Sequence, residues 1–297
     1  MQLPPTVTPP THVAIVAPAS GLDDAALQAR VSYLEALGCS CDVGQVTQPG
    51  PALESDVARA QELAAAMRSD ASVILCARGG YGTTRLLDAL DFAEFANRPK
   101  WVVGFSDITA LQLAILKHTG IGSASGFLLY PSLDECGIAR PRAGESLWQT
   151  LGGDFQPVRS LKCLRPGRAQ GPLVGGCLSM ITALVGTPHL PDLSGTLLFL
   201  EDVGERPYRI DRMLQQLWSA GVLQDVAGLI AGHFAGCHAR GALDATVPDV
   251  LAHWASRVNC PAVTGLPYGH DIDSLVLPIG VPATLDADAG TLDLYPV

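Results

Sequence analysis

The chain has 297 residues, 48% of them apolar and 16% charged, with 31 glycines and 22 prolines. An ordinary apolar fraction beside so few charges excludes global disorder and leaves room for one large core or two modest ones. Nineteen Lys and Arg against 29 Asp and Glu give a net charge of −10, a field that repels phosphate backbones and anionic lipid surfaces and so argues against a nucleic acid or membrane partner.

In chain order, the first stretch is rich in proline (Pro4, Pro5, Pro9 and Pro10) and carries no basic segment ahead of an apolar one. It reads as a flexible leader over residues 1–11 of a cytoplasmic protein. Val13 to Ala17 is a short apolar strand ending in Pro-Ala-Ser-Gly, and Leu27, Val31 and Leu34 follow at helical spacing before Gly38. The same unit recurs. Val57, Ala60, Ala64 and Met67 mark one stripe of a helix, and Ser72 to Ala77 is a buried strand that runs into Arg78-Gly79-Gly80-Tyr81-Gly82. Trp101 to Phe105 is another strand, leading through Ser106 and Asp107 into a helix with Ile108, Leu111 and Ile115 on one face. Short β-rich runs alternating with amphipathic helices predict an α/β fold, a doubly wound and mainly parallel sheet, whose ligands bind at the carboxyl ends of the strands.

From about Pro131 to Gly171 the pattern weakens around one helix near Ala143 to Leu151, which places a domain junction there. Past it come a helix after Gly176, a strand at Thr196 to Leu200, a helix with Ile210, Leu214 and Leu217, a strand at Val226 to Ala231 and a helix with Val247, Val250, Leu251 and Trp254. The tail from Leu275 alternates β-type runs with turns, as antiparallel hairpins closing the second domain would. The expected division is a doubly wound domain over 12–133, a linker over 134–168 and a smaller, β-rich α/β domain over 169–297.

Three strand ends carry reactive groups. Ser106 stands where a strand meets a helix, with the Asp107 amide placed to donate to an oxyanion; a helix cap is the alternative role for that serine. Glu201 ends a buried strand, and a solvated turn carboxylate is its alternative. His270 lies between a glycine and an aspartate, and among the seven histidines His233, also after a strand, is its rival. Spacing does not choose between them. The Gly79-Gly80 turn lacks the spacings of nucleotide-binding loops but lets backbone amides approach a ligand closely. Eight cysteines include no Cys-x-x-Cys and no closely spaced Cys/His set, so neither a metal nor another cofactor is expected.

Taken together, Ala77-Arg78-Gly79-Gly80-Tyr81-Gly82, Gly104-Phe105-Ser106-Asp107-Ile108-Thr109-Ala110, the run from Glu201 to Arg212 and Gly265-Leu266-Pro267-Tyr268-Gly269-His270 make the chain resemble the LD-carboxypeptidases, serine peptidases also called muramoyltetrapeptide carboxypeptidases. The resemblance covers nearly everything after Thr11. It implies a Ser106-His270-Glu201 triad, with the Gly80 and Asp107 amides as oxyanion hole and the triad divided between two domains. It also implies a homodimer and a recycled murein tetrapeptide as substrate, cut before its terminal D-Ala. A free carboxylate must then be held, for which Arg78, Arg206 and Arg209 are the candidates. Many relatives have Asn where this chain has Cys177, and Gly and Asn where it has Asp271 and Ser274, so reaction type is the safer inference and substrate the weaker.

Two other readings fit parts of the pattern. Peptidases resembling the microcin C immunity branch share fold and triad but cut an acyl-sulfamoyl-adenylate; they are longer and stack an aromatic on the base, whereas this chain has no Trp between Trp148 and Trp218. A non-catalytic metabolite-binding protein would keep the scaffold, with Ser106 as a cap and His270 as a packed residue.

Overall fold

A short apolar run buried on both faces is best satisfied by parallel pairing under helices, and the first half of the chain follows that rule. The computed structural model describes residues 1–44, 55–132, 140–241, 244–270 and 273–296. Five strands, β1 (His12–Val16), β2 (Ser40–Val43), β3 (Val73–Cys76), β4 (Trp101–Gly104) and β5 (Ser123–Ser125), lie parallel in the order β5-β4-β3-β1-β2. Helices α1 (Asp24–Ala36), α2 (Asp56–Arg68), α3 (Phe92–Asn97), α4 (Thr109–Thr119), the short segment α5 (Leu129–Ser132), broken by extended backbone at Tyr130, and α6 (Pro141–Leu151) belong to the same half. From β1 the chain goes first to β2 on one side and then to β3 on the other. The crevice between the carboxyl ends of β1 and β3 is therefore a topological switch point, where such sheets bind ligands.

The second half builds β6 (Lys162–Arg165), β7 (Arg168–Cys177), α7 (Leu178–Ala183), β8 (Leu197–Val203), α8 (Pro207–Ser219), β9 (Gly228–Ala235), α9 (Val247–Arg257) and β10 (Ala262–Thr264). β7, β8, β9 and β10 are parallel, with β6 antiparallel on the β10 edge. β12 (Pro282–Asp286) and β13 (Thr291–Leu294) close the β7 edge as an antiparallel hairpin. The α/β class expected from the alternation of runs and helices is the observed one. α4 packs on α7 and β7, so Ile108 and Leu111 share one continuous core with Leu178 and Ile181.

The structure corrects three expectations. The tail does not belong wholly to the second sheet: β11 (Leu277–Ile279) crosses back and pairs antiparallel with β5, completing the first sheet and tying the two halves together.

The first eleven residues, expected as a flexible leader, lie on the body. The Trp101 side chain is 1% exposed and its indole N–H donates to the Pro5 carbonyl at 2.9 Å, while Val7 N–H reaches the Leu151 carbonyl at 2.8 Å. A buried indole N–H left without an acceptor costs about 1–3 kcal/mol, and prolines, which cannot donate to a sheet, still offer carbonyls.

On α2 the stripe is turned. Val57 is 72% exposed and the inward positions are Arg59, Ala60, Leu63, Ala66 and Met67. The helix follows the buried guanidinium of Arg59, whose Nη1 donates to the Pro18 and Ala19 carbonyls at 2.5 and 3.2 Å and so fixes the loop after β1. Of the expected linker, 134–139 lies outside the described residues, as do Cys136 and Asp271.

Candidate active site

The end of β4 is built around a strained serine. Phe105 is extended, and Ser106 then adopts φ 64, a left-handed conformation that costs a residue with a Cβ roughly 1–3 kcal/mol and persists only where its surroundings enforce it. Those surroundings are close backbone. A Cβ on Gly79 would stand 2.9 Å from Ser106 Cβ and 3.1 Å from its Oγ, and one on Gly104 would run into the Ile108 side chain. Gly80 has φ 123, and a Cβ there would overlap the Ser20 hydroxyl from the loop after β1. The turn after β3 thus faces the loop after β1 at Gly80 and Ser20 and the turn after β4 at Gly79 and Ser106.

Asp107 follows, with its carboxylate turned inward. It is 3% exposed and its Oδ2 accepts the Thr83 N–H at 2.8 Å, and burial raises its pKa above the usual carboxylate range. The side chain therefore locks the Gly-rich turn after β3 to the turn carrying Ser106. The Asp107 amide, expected as an oxyanion donor, lies in the helical turn that runs into α4.

From the second sheet come an acid and an imidazole. Glu201 is fully buried in β8 and its Oε2 lies 2.7 Å from His270 Nδ1. Among the described residues its Oε1 has no hydrogen-bond partner. Burial is the main influence on this carboxyl and raises its pKa, while the bond and charge of His270 act the other way. The His270 ring packs on Phe105, the residue before Ser106, with centroids 4.5 Å apart. Tyr268 fixes the approach: its ring packs edge-on against both Phe105 and Phe199, and its hydroxyl shares a 2.8 Å hydrogen bond with Ser125 of β5. Gly269 is needed because a Cβ there would press on His233 at 2.8 Å. The structure pairs His270 with Glu201 and packs the His270 ring on Phe105, the residue before Ser106. An imidazole on a buried carboxylate, packed one residue from a serine in left-handed backbone, is an arrangement able to take and return a proton during nucleophilic attack.

The other histidines and the arginines have different surroundings. His233 is exposed on β9; His118 stacks on Phe92 and bonds His189 at 3.1 Å, with His189 in turn on Asp88 at 2.9 Å. Arg206 pairs with Asp244 at 3.1 Å and Arg209 with Glu205 at 2.7 Å, while Arg78 is exposed and lies over the Tyr130 ring. Asp202, neighbour of Glu201, points elsewhere and accepts the Ser179 and Val203 amides at 2.8 and 2.9 Å.

Cys177 is a buried thiol with a 3.2 Å contact to Ser179 Oγ, and desolvation holds its pKa well above the usual thiol value, which leaves it unreactive. Ser274 Oγ accepts the Gly269 amide at 3.3 Å, steadying the turn before His270. The roles of Arg59, Tyr268 and Ser125 are not legible in the sequence: a lone arginine on a helix, a tyrosine after proline and a serine in a short run carry no periodic signal. Among the described residues no cluster of three or more His, Cys, Asp or Glu is placed to hold a metal ion.

Comparison with known proteins gives two family matches: the LD-carboxypeptidase N-terminal domain over residues 13–126 and the LD-carboxypeptidase C-terminal domain over 170–285. The chain is 35% identical to a Bacillus subtilis protein named "Probable murein peptide carboxypeptidase", over 92% of this chain and 88% of that one. It is 34% identical to the crystal structure of muramoyltetrapeptide carboxypeptidase from Oxalobacter formigenes, with a TM-score of 0.86 over 97% of this chain and all of that one. MccF in complex with glutamyl sulfamoyl guanosine also superposes, with a TM-score of 0.86 over 100% of this chain and 99% of that one; at 22% identity this likeness shows the fold alone.

Proposed function

The chain belongs to the LD-carboxypeptidase family and is a serine carboxypeptidase, and from that premise we propose that it removes the terminal D-Ala from a murein tetrapeptide, in cytoplasmic peptidoglycan recycling, through Ser106, His270 and Glu201. The observation that carries this reading is the imidazole of His270, held 2.7 Å from a fully buried carboxylate and packed on the residue before a serine in left-handed backbone.

Each residue has a distinct task. Glu201, bonded to Nδ1, fixes the tautomer in which Nε2 accepts a proton and stabilises the imidazolium that results. His270 takes the Ser106 proton as Oγ attacks the carbonyl before the terminal residue, and the oxyanion is received by the Gly80 and Asp107 amides. His270 then returns the proton to the leaving amine, D-Ala departs and an acyl-enzyme remains; a water, deprotonated by His270, releases it. The missing Cβ of Gly79 leaves the space that the Ser106 side chain needs. Gly79→Ala is therefore expected to lower kcat/KM about 100-fold, because displacing a nucleophile by an ångström has that scale of effect; unchanged kinetics would mean that the close approach is dispensable.

The test is to incubate the protein with a murein tetrapeptide, its pentapeptide and an acyl-sulfamoyl-adenylate, reading products by mass beside the Ser106→Ala variant. Loss of one D-Ala from the tetrapeptide alone, unaffected by EDTA, is the expected result. Cleavage of the sulfamoyl conjugate without cleavage of the tetrapeptide would replace the murein reading, and binding without turnover of any of the three would remove the catalytic one.

A further inference from the structure

Beside the carboxyl end of β3 lies a cavity of about 450 Å³ that the triad chemistry leaves without a role. Its wall includes Leu22, Asp23 and Ala26 at the start of α1, then Arg30, Arg78 and Tyr130. Two guanidiniums flank one phenol ring, with Arg30 at 5.1 Å and Arg78 at 5.3 Å from the Tyr130 centroid.

The two arginines differ in what they are able to do. Arg30 is 2% exposed and donates to the Ala26 carbonyl at 2.7 Å, so it braces the wall and the ring. Arg78 is exposed, and among the described residues no carboxylate pairs with it. Asp23, the acid on the rim, is committed to capping α1 through a 2.8 Å bond from the Ala26 amide. Arg206 and Arg209, the other cations of the sequence motifs, already hold Asp244 and Glu205. Either would have to give up an ion pair to receive a substrate anion, whereas Arg78 gives up none.

Position agrees with availability. Arg78 directly precedes Gly79, where an added Cβ would stand 3.1 Å from Ser106 Oγ, so the side chain is rooted next to the residue that faces the nucleophile. Stacking on Tyr130 holds the planar fork while leaving its N–H groups to form two parallel bonds to a carboxylate. The protein's net charge of −10 opposes the approach of an anionic peptide, and a local pair of guanidiniums supplies the attraction the global field withholds.

We propose that this cavity is the carboxylate subsite and that Arg78 receives the free terminal carboxylate of the substrate, which confines the enzyme to chain ends; the inference rests on the LD-carboxypeptidase reading. Arg30 and Tyr130 orient Arg78 and do not themselves bind the anion.

The experiment compares the wild type with Arg78→Ala, Arg78→Lys and Arg206→Ala on a murein tetrapeptide and on the same peptide with its terminal carboxylate as the amide. Where amide hydrolysis is too slow to follow, its inhibition constant against the acid is used. Arg78→Ala should lose about 10- to 100-fold in preference for the acid, through KM, with the amide changed by less than about threefold. Arg78→Lys should recover part of the preference, and Arg206→Ala should keep the wild-type ratio. Equal losses on acid and amide, no loss at all, or a collapse of the ratio in Arg206→Ala would each overturn the assignment. A wild type that fails to cleave the tetrapeptide would instead remove the reading beneath it, an outcome separate from any of these.

Discussion

Ser106→Ala is expected to lower kcat/KM on a murein tetrapeptide by roughly 10⁴- to 10⁶-fold, the scale on which removing a triad nucleophile acts, while KM and the folded state change little. The reason is local. Ser106 sits at φ 64 facing Gly79, and alanine has the same Cβ, so the substitution neither relieves the strain nor adds a clash. Only the hydroxyl leaves. Thermal unfolding should therefore be within about 0.5 kcal/mol of wild type, which separates a chemical role from a structural one. Were Ser106 merely a helix cap, its loss would cost about 1 kcal/mol of stability and leave turnover intact, the reverse of the expected pattern. In the structure the capping position of this turn is held by Phe105, and Ser106 is the first residue inside it.

How far the sequence foretold this arrangement varies with the physics of each element. β3 and β4 were legible because four consecutive apolar residues bounded by turns have few alternatives. β5 was not: Ser123, Ala124 and Ser125 are all buried, yet small polar residues give no hydrophobic signal, and the role of Ser125 appears only when Tyr268 arrives from the other sheet. β11 was read as part of a hairpin because its run resembles β12 and β13; which sheet a strand joins is a tertiary matter that local pattern does not encode. Arg59 was hidden for a related reason, since its burial depends on carbonyls 40 residues away along the chain.

The candidate site was legible as pieces rather than as a whole. Ser106 could be marked from its strand-to-helix junction, but spacing alone left His270 level with His233, and only the family resemblance preferred one. In the structure the difference is geometric: His270 faces a buried carboxylate, whereas His233 is exposed. The arginines show the opposite case. Arg206 and Arg209 alternate with acids in their run, for which surface ion pairing is the default reading, and the structure shows both paired, with Asp244 and Glu205.

Glu201→Gln should separate activity from stability. Glutamine keeps the size of the side chain, but its amide offers an N–H₂ as readily as a carbonyl to His270 Nδ1, so the imidazole loses both its fixed tautomer and the charge that supports its protonated form. A fall in kcat/KM of about 10³- to 10⁴-fold is expected. Stability should move the other way with pH. The folded-state pKa of Glu201 is raised, chiefly by burial, so its contribution to stability is fully present below the unfolded-state pKa and is lost as pH rises through the higher folded value. Glutamine does not titrate and suffers no such loss. The stability of the variant relative to wild type should therefore grow as pH rises from the acid range, while the acid limb of its residual activity moves to lower pH because His270 has lost its carboxylate partner. Denaturant unfolding at several pH values and a kcat/KM profile check both halves. A variant that retains activity within tenfold of wild type, or that loses stability relative to wild type as pH rises, would show that the Glu201-His270 pair is a packing contact and not the source of the serine's reactivity.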